Sequence, residues 1–208
     1  MGIYEDLLKA TGDPDGLGGI RERILAWMLP GFMDRAEVIE AATEYVEGRE
    51  LLTGPQVEQL VDELWRQRLD EQKDWPERTD ADKVAAAFAE LDAAGIVARM
   101  NFTCCQTCGS TEIDDERPAD RPSTGYVFFH SQDGERLADN PAHLFLAYGA
   151  FDIPEPEWLD GVTAIGNQVA AVLRAHDLPV TWNGSSDQRI QVGPLNWQRR
   201  LPTARQNS

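Results

Sequence analysis

The stretch "FTCCQTCG", residues 102–109, gathers all three cysteines of the chain, Cys104, Cys105 and Cys108, into five consecutive positions. Cys105-x-x-Cys108-Gly109 has the form of a zinc knuckle, in which two thiolates converge on one ion and the glycine permits a tight turn. A structural zinc takes four ligands, so the knuckle needs two more. Cys104 can serve where the chain turns sharply. His130, closing "GYVFFH", and His143 are the soft donors that remain, and His130 is the one to test; zinc is the cofactor this set suggests. A second C-x-x-C pair is absent. The same spacing suits a redox dithiol, because a helix starting at Cys105 lowers the pKa of that thiol and makes it a nucleophile. A third reading treats the thiols as small apolar groups, reduced and inert, at the junction of two layers.

"HSQD", residues 130–133, is the second constellation. A histidine at a strand end with a carboxylate nearby suits general-base chemistry. Alternation along an extended segment sets His130 and Asp133 on opposite sides, which argues against a direct pair. Asp133, ahead of Gly134, is also suited to capping a turn. Phosphate-loop and Ser-His-Asp patterns are absent: the glycines of "GDPDGLGG" precede a helix and lack a lysine, and no G-x-S-x-G occurs.

The elements that must position these residues fall into two halves. Residues 1–95 read as a helical region. Leu17, Ile20, Ile24, Leu25 and Met28 form one stripe, and Val38, Ile39, Ala42, Tyr45 and Val46 a second. Val57, Leu60, Val61, Leu64, Trp65 and Leu69 form a third. Asp34 with Glu37 has the spacing of a capping box. A fourth helix starts near Thr79 and stops at Gly95. The period then changes from 3.6 to 2, and residues 96–198 read as a sheet domain. "IVARMNFT" alternates as a strand with one buried face. "GYVFFH" and "HLFLAYG" are central strands, and "EIDDERPADRPS" is a loop. Residues 157–177 carry Val162, Ile165, Val169, Val172 and Leu173 on one helical face, and "LPVTWNG" with "RIQVG" makes a hairpin turning at Asn183-Gly184. The class expected is α+β: an N-terminal helical layer, then a mainly antiparallel sheet covered by a long helix, with 199–208 a flexible tail.

The run "TDADKVAAAFAELDAAGIVARMNFTCCQTCGSTEI", followed by "GYVFFHSQDGERL", "LFLAYGAF", "IGNQVAAVLRAHDLPVTWNG" and the ending "RIQV…LNWQRR", resembles a bacterial, mainly actinobacterial family of unknown function. The likeness covers roughly the last 130 residues and is carried by the CC-x-x-CG and HSQD blocks. It implies no activity, cofactor or catalytic residue.

Charge narrows the partners. Among 208 residues, 36 are acidic and 19 are Lys or Arg, a net charge of −17. Such a chain repels nucleic acid and anionic lipid. Residues 1–100 hold 22 acids against 11 bases, while nothing after Asp187 is acidic. No apolar run reaches the roughly 20 residues of a membrane span, and the first residues lack the pattern of a signal peptide. Three cysteines are too few for a disulfide framework, so a reducing, cytoplasmic setting is expected. Three function classes follow. The first is a non-enzymatic binding or regulatory protein with a protein or small-molecule partner. The alternative is a zinc or thiol-redox site on the cysteine cluster. The last, a winged-helix regulator suggested by "AFAELDAAGIVARM", conflicts with the acidic charge and finds no basic helix face.

Overall fold

The computed structural model describes residues 16–49 and 51–202. The first residues, read above for targeting signals, lie outside these, as do residues 203–208 of the expected tail. Two compact units divide the chain, one of residues 1–76 with 198–208 and one of residues 77–197.

In the first unit, α1 (Leu17–Met28), α2 (Arg35–Val46) and α3 (Gly54–Glu71) bury the expected stripes against one another. Ile20, Ile24 and Met28 meet Val38, Ala42 and Val46, together with Val57, Leu60, Val61, Leu64 and Trp65. The capping box forms: Asp34 accepts from the Ala36 and Glu37 amides at 2.9 and 3.0 Å, and the Asp34 amide donates to Glu37 Oε2 at 2.7 Å. Leu69 departs from its stripe and is 45% exposed. α3, at 18 residues, is longer than its 12-residue partners, and Leu69 stands near its end. Leu201 closes the same core, and Arg199 donates to the Gly31 carbonyl at 3.1 Å while its guanidinium lies over Phe32.

The second unit begins with α4 (Asp80–Ala93), capped by Thr79, whose Oγ1 accepts from the Asp82 amide at 3.2 Å. Gly95, at φ 87°, ends it as expected. There follow β1 (Ile96–Arg99), α5 (Gln106–Glu112), β2 (Gly125–Phe128), α6 (Ser131–Glu135), β3 (Ala142–Ala150), α7 (Trp158–Ala175), β4 (Val180–Thr181) and β5 (Ile190–Leu195). The sheet order is β1-β2-β3-β5-β4, with only β1 and β2 parallel. The molecule is therefore α+β, with a mainly antiparallel open sheet. Among the described residues no helix is long and apolar enough to cross a membrane.

The two faces of the sheet have different covers. On one, Gly125 lies against Ile165 of α7, and Gly166 of α7 sits on Tyr148 and Trp182. On the other, the register aligns Val97 with Tyr126 and Arg99 with Phe128 and Ala147. Ile113, Phe102 and Phe151 pack on this second face. Burying a side chain the size of Phe128 contributes about 2 kcal/mol.

That segment differs from the expected strand. β1 stops at Arg99 because Asn101 and Thr103 take left-handed backbone conformations, φ 54° and 56°, which no strand accommodates. Phe102 consequently joins the face of Val97 and not that of Ile96. The expected loop also contains structure, a 3₁₀ turn at Ile113–Glu116 tied down by Arg99, which donates to Glu116 Oε2 and Asp92 Oδ1, both at 2.7 Å.

Candidate functional site: a three-thiol cluster

The chain leaves β1, reverses through Asn101 and Thr103, and crosses the end of β2. The Phe102 amide donates to the Phe129 carbonyl at 2.8 Å, and the Ser131 amide to the Thr103 carbonyl at 3.0 Å. Ser131 Oγ donates to the Cys104 carbonyl at 3.2 Å. The two blocks singled out in sequence, FTCC and HSQD, are thus stitched together by backbone bonds, and the stitch fixes where Cys104 stands.

Cys105 is the N-cap of α5, with extended backbone, and the Gly109 amide donates to its carbonyl at 3.0 Å. Gly109 fixes the helix to the sheet. A Cβ built there would lie 2.4 Å from Cε2 of Phe128, a ring that is fully buried. Only glycine allows this approach. The helix start therefore sits at a set height above β2, and one turn of helix brings Cys108 back toward Cys104.

The result is a cluster of three sulfurs, all within 4.8 Å of one another. Cys104 Sγ and Cys108 Sγ are 3.4 Å apart. Only Cys104 is open to water; Cys105 and Cys108 are partly covered. The Cys105 thiol is held below the usual thiol range, chiefly by the Cys108 backbone N–H facing its sulfur and then by the Cys108 thiol. The thiol of Cys108 is pushed up to about 12 by the neighbouring sulfurs of Cys104 and Cys105. Three sulfurs crowded in this way share protons or share a cation.

His130 is not in this group. It is 6% exposed and caps α6, its Nδ1 accepting from the Asp133 amide at 3.3 Å and its Nε2 lying 2.9 Å from Asp133 Oδ2. Asp133, 3% exposed, also binds the Arg189 guanidinium, which in turn donates to the Phe145 carbonyl. Burial holds His130 below the usual imidazole range; the Asp133 charge opposes this, and Arg189 and Arg136 reinforce it. The direct His-Asp pair that strand alternation argues against does form, because the chain turns into α6 at Ser131 and sets the two residues three apart on one helical turn. Of the other histidines, His143 Nδ1 is 3.1 Å from Gln191 Nε2, and His176 Nε2 is 2.8 Å from Glu90 Oε2.

Sequence reasoning gave Gly109 the role of a tight turn, where the structure has it inside α5 and packed on Phe128, and did not identify Ser131 or Arg189 as supports of these sites. Gly109 had the only available signal, as a glycine inside a helix-compatible run.

A family model described as a domain of unknown function, DUF6891, matches residues 13–201, and the chain belongs to that family. The match takes in the helical unit as well as the sheet. Neither the curated proteins nor the solved structures gave a match.

Proposed function

We propose that this member of the DUF6891 family is a binding protein whose ligand is a soft metal ion, zinc first, held by the thiolates of Cys104, Cys105 and Cys108. The observation that carries this reading is the convergence of three sulfurs within 4.8 Å at a solvent-facing helix start. Thiolates select zinc and similar soft ions over magnesium or calcium, which take oxygen ligands. Three protein ligands leave the fourth position to water or an incoming ligand, the arrangement of zinc sites that bind or process something rather than merely brace a fold. His130 supports the site through the loop that Ser131 holds, its own ring being occupied by Asp133. The reading fits a reducing, cytoplasmic setting, where free thiols persist. It also fits a protein or small-molecule partner better than nucleic acid.

The test is metal analysis of the full chain purified without chelator. About one zinc per chain is expected, falling to a small fraction in Cys108→Ser and unchanged in His130→Asn, which keeps a capping side chain. Metal-free protein that also fails to take up added zinc overturns the reading; fast alkylation of Cys105 alone would then mark a dithiol. Zinc lost in His130→Asn with the fold intact would restore His130 as a ligand.

A further inference from the structure

Deepening the metal reading, on which its release step rests, we infer that the cluster is an oxidation-sensitive site in which peroxide joins Cys104 to Cys108, leaves Cys105 as a single thiol and so empties the site.

The pairing follows from placement. Cys104 and Cys108 present their sulfurs to each other at 3.4 Å, and of the three, Cys104 is the exposed one that an oxidant meets first. Forming a disulfide requires the sulfurs to close to about 2 Å, a small movement for Cys104, which lies ahead of the helix on the connecting loop. Cys105 is placed differently. It caps α5, and its carbonyl anchors the first helical turn through Gly109. Bridging Cys104 to Cys105 would need a strained ring between adjacent residues. A bridge from Cys105 to Cys108 is the competing pairing; the 3.4 Å separation of the Cys104 and Cys108 sulfurs and the exposure of Cys104 favour Cys104 with Cys108. The bridge between Cys104 and Cys108 spans the loop and leaves that turn in place.

The chemistry balances with a hydroperoxide as oxidant. The Cys104 thiolate attacks one peroxide oxygen, the O–O bond breaks, and a sulfenic acid forms while hydroxide leaves and takes a proton to become water. The Cys108 sulfur attacks that sulfur and gives up its proton, the S–O bond breaks, and the departing hydroxide takes that proton and leaves as water. Two electrons have passed from the two sulfurs to the peroxide, one proton has been taken up from solution, and two waters have formed. The zinc ion, left with one thiolate, departs as the aqueous ion, and a thiol reductant reverses the sequence.

The experiment exposes the zinc-loaded full chain, and separately the metal-free full chain, to stoichiometric hydrogen peroxide. It follows zinc with a chromogenic chelator and maps cysteines by peptide mass. Both samples should lose the mass of two hydrogen atoms, with the linkage at Cys104 and Cys108, and the loaded sample should release about one zinc per chain, recovered after dithiothreitol and added zinc. Cys105→Ser should retain the mass loss, and Cys104→Ser and Cys108→Ser should each abolish it, folding being followed by circular dichroism. A linkage through Cys105 in the wild type, or zinc still bound with three reduced cysteines, overturns the inference and leaves the metal reading standing. Reduced protein that takes up no added zinc but forms the Cys104–Cys108 bridge on oxidation overturns the metal reading, and the release with it, while upholding the pairing.

Discussion

At the scale of single residues, two positions bear on the candidate site and the loop beside it. Gly109 is one. Its absent side chain lets α5 rest on the buried Phe128 ring, so Gly109→Ala forces a methyl to within 2.4 Å of that ring and lifts the helix carrying Cys108. Alanine gains helix propensity of about 1 kcal/mol, and overpacking costs about 1–3 kcal/mol. The expected outcome in urea unfolding is a net loss of about 1 kcal/mol, with weaker zinc retention in competition with a chelator, both recovered by adding Phe128→Leu. His130 is the other. Burial holds its pKa below the usual 6.5, so the folded chain keeps a neutral imidazole where the unfolded chain takes a proton. The sign follows: the contribution is complete above the unfolded pKa and is lost as pH falls below about 6.5. Denaturant midpoints should therefore drop between pH 7.5 and 5.5, and His130→Asn should flatten that drop. In sequence the cysteines were legible because their spacing is itself the signal. The His130-Asp133 pair was not, because its geometry depends on where strand gives way to helix, and that boundary is a tertiary outcome.

At the scale of elements, the long helices were legible and the short ones were not. α1, α2, α3, α4 and α7 bury a 3.6-period stripe, and the stripe is visible in the chain. α5 and α6, of 7 and 5 residues, are held by contacts that sequence does not display: Gly109 on Phe128, and Asp133 with Arg189. β1 was read too long for a related reason, since alternation continues to Thr103 while the backbone has already reversed at Asn101. Asparagine tolerates the left-handed region at less cost than a β-branched residue, although Thr103 also adopts it here. Asn101→Gly should accordingly leave stability nearly unchanged, whereas Asn101→Val should lower it by about 1–2 kcal/mol in thermal or denaturant unfolding. The second variant should also loosen the cysteine loop, seen as faster alkylation of Cys104 than in the wild type. Equal losses in both variants would mean that the Asn101 side chain, whose Oδ1 lies close over Gly134, matters more than its backbone angle.

At the scale of the whole molecule, charge is the governing quantity, and it was readable from composition alone. Neither unit escapes it: residues 77–197 hold 19 acidic against 8 basic residues, and residues 1–76 with 198–208 hold 17 against 11. The surface ion pairs, such as Lys73 with Asp70 and Arg66 with Glu63, are exposed and contribute little each. Self-repulsion among the unpaired carboxylates is the larger effect, and it is screened over about 8 Å at physiological ionic strength. The melting temperature should therefore rise between very low salt and about 0.15 M sodium chloride, by a few degrees for a chain of this size. A fall would mean that the ion pairs outweigh the repulsion. The same field argues against polyanions as partners, because a duplex binder needs basic residues gathered on one face to release counterions. In a gel-shift series the protein should leave duplex DNA unretarded even at low salt, where electrostatic attraction is strongest. A soft cation meets the opposite field. The acidic surface raises its local concentration around the thiols, so zinc uptake should slow as salt is added, more at the association step than at dissociation.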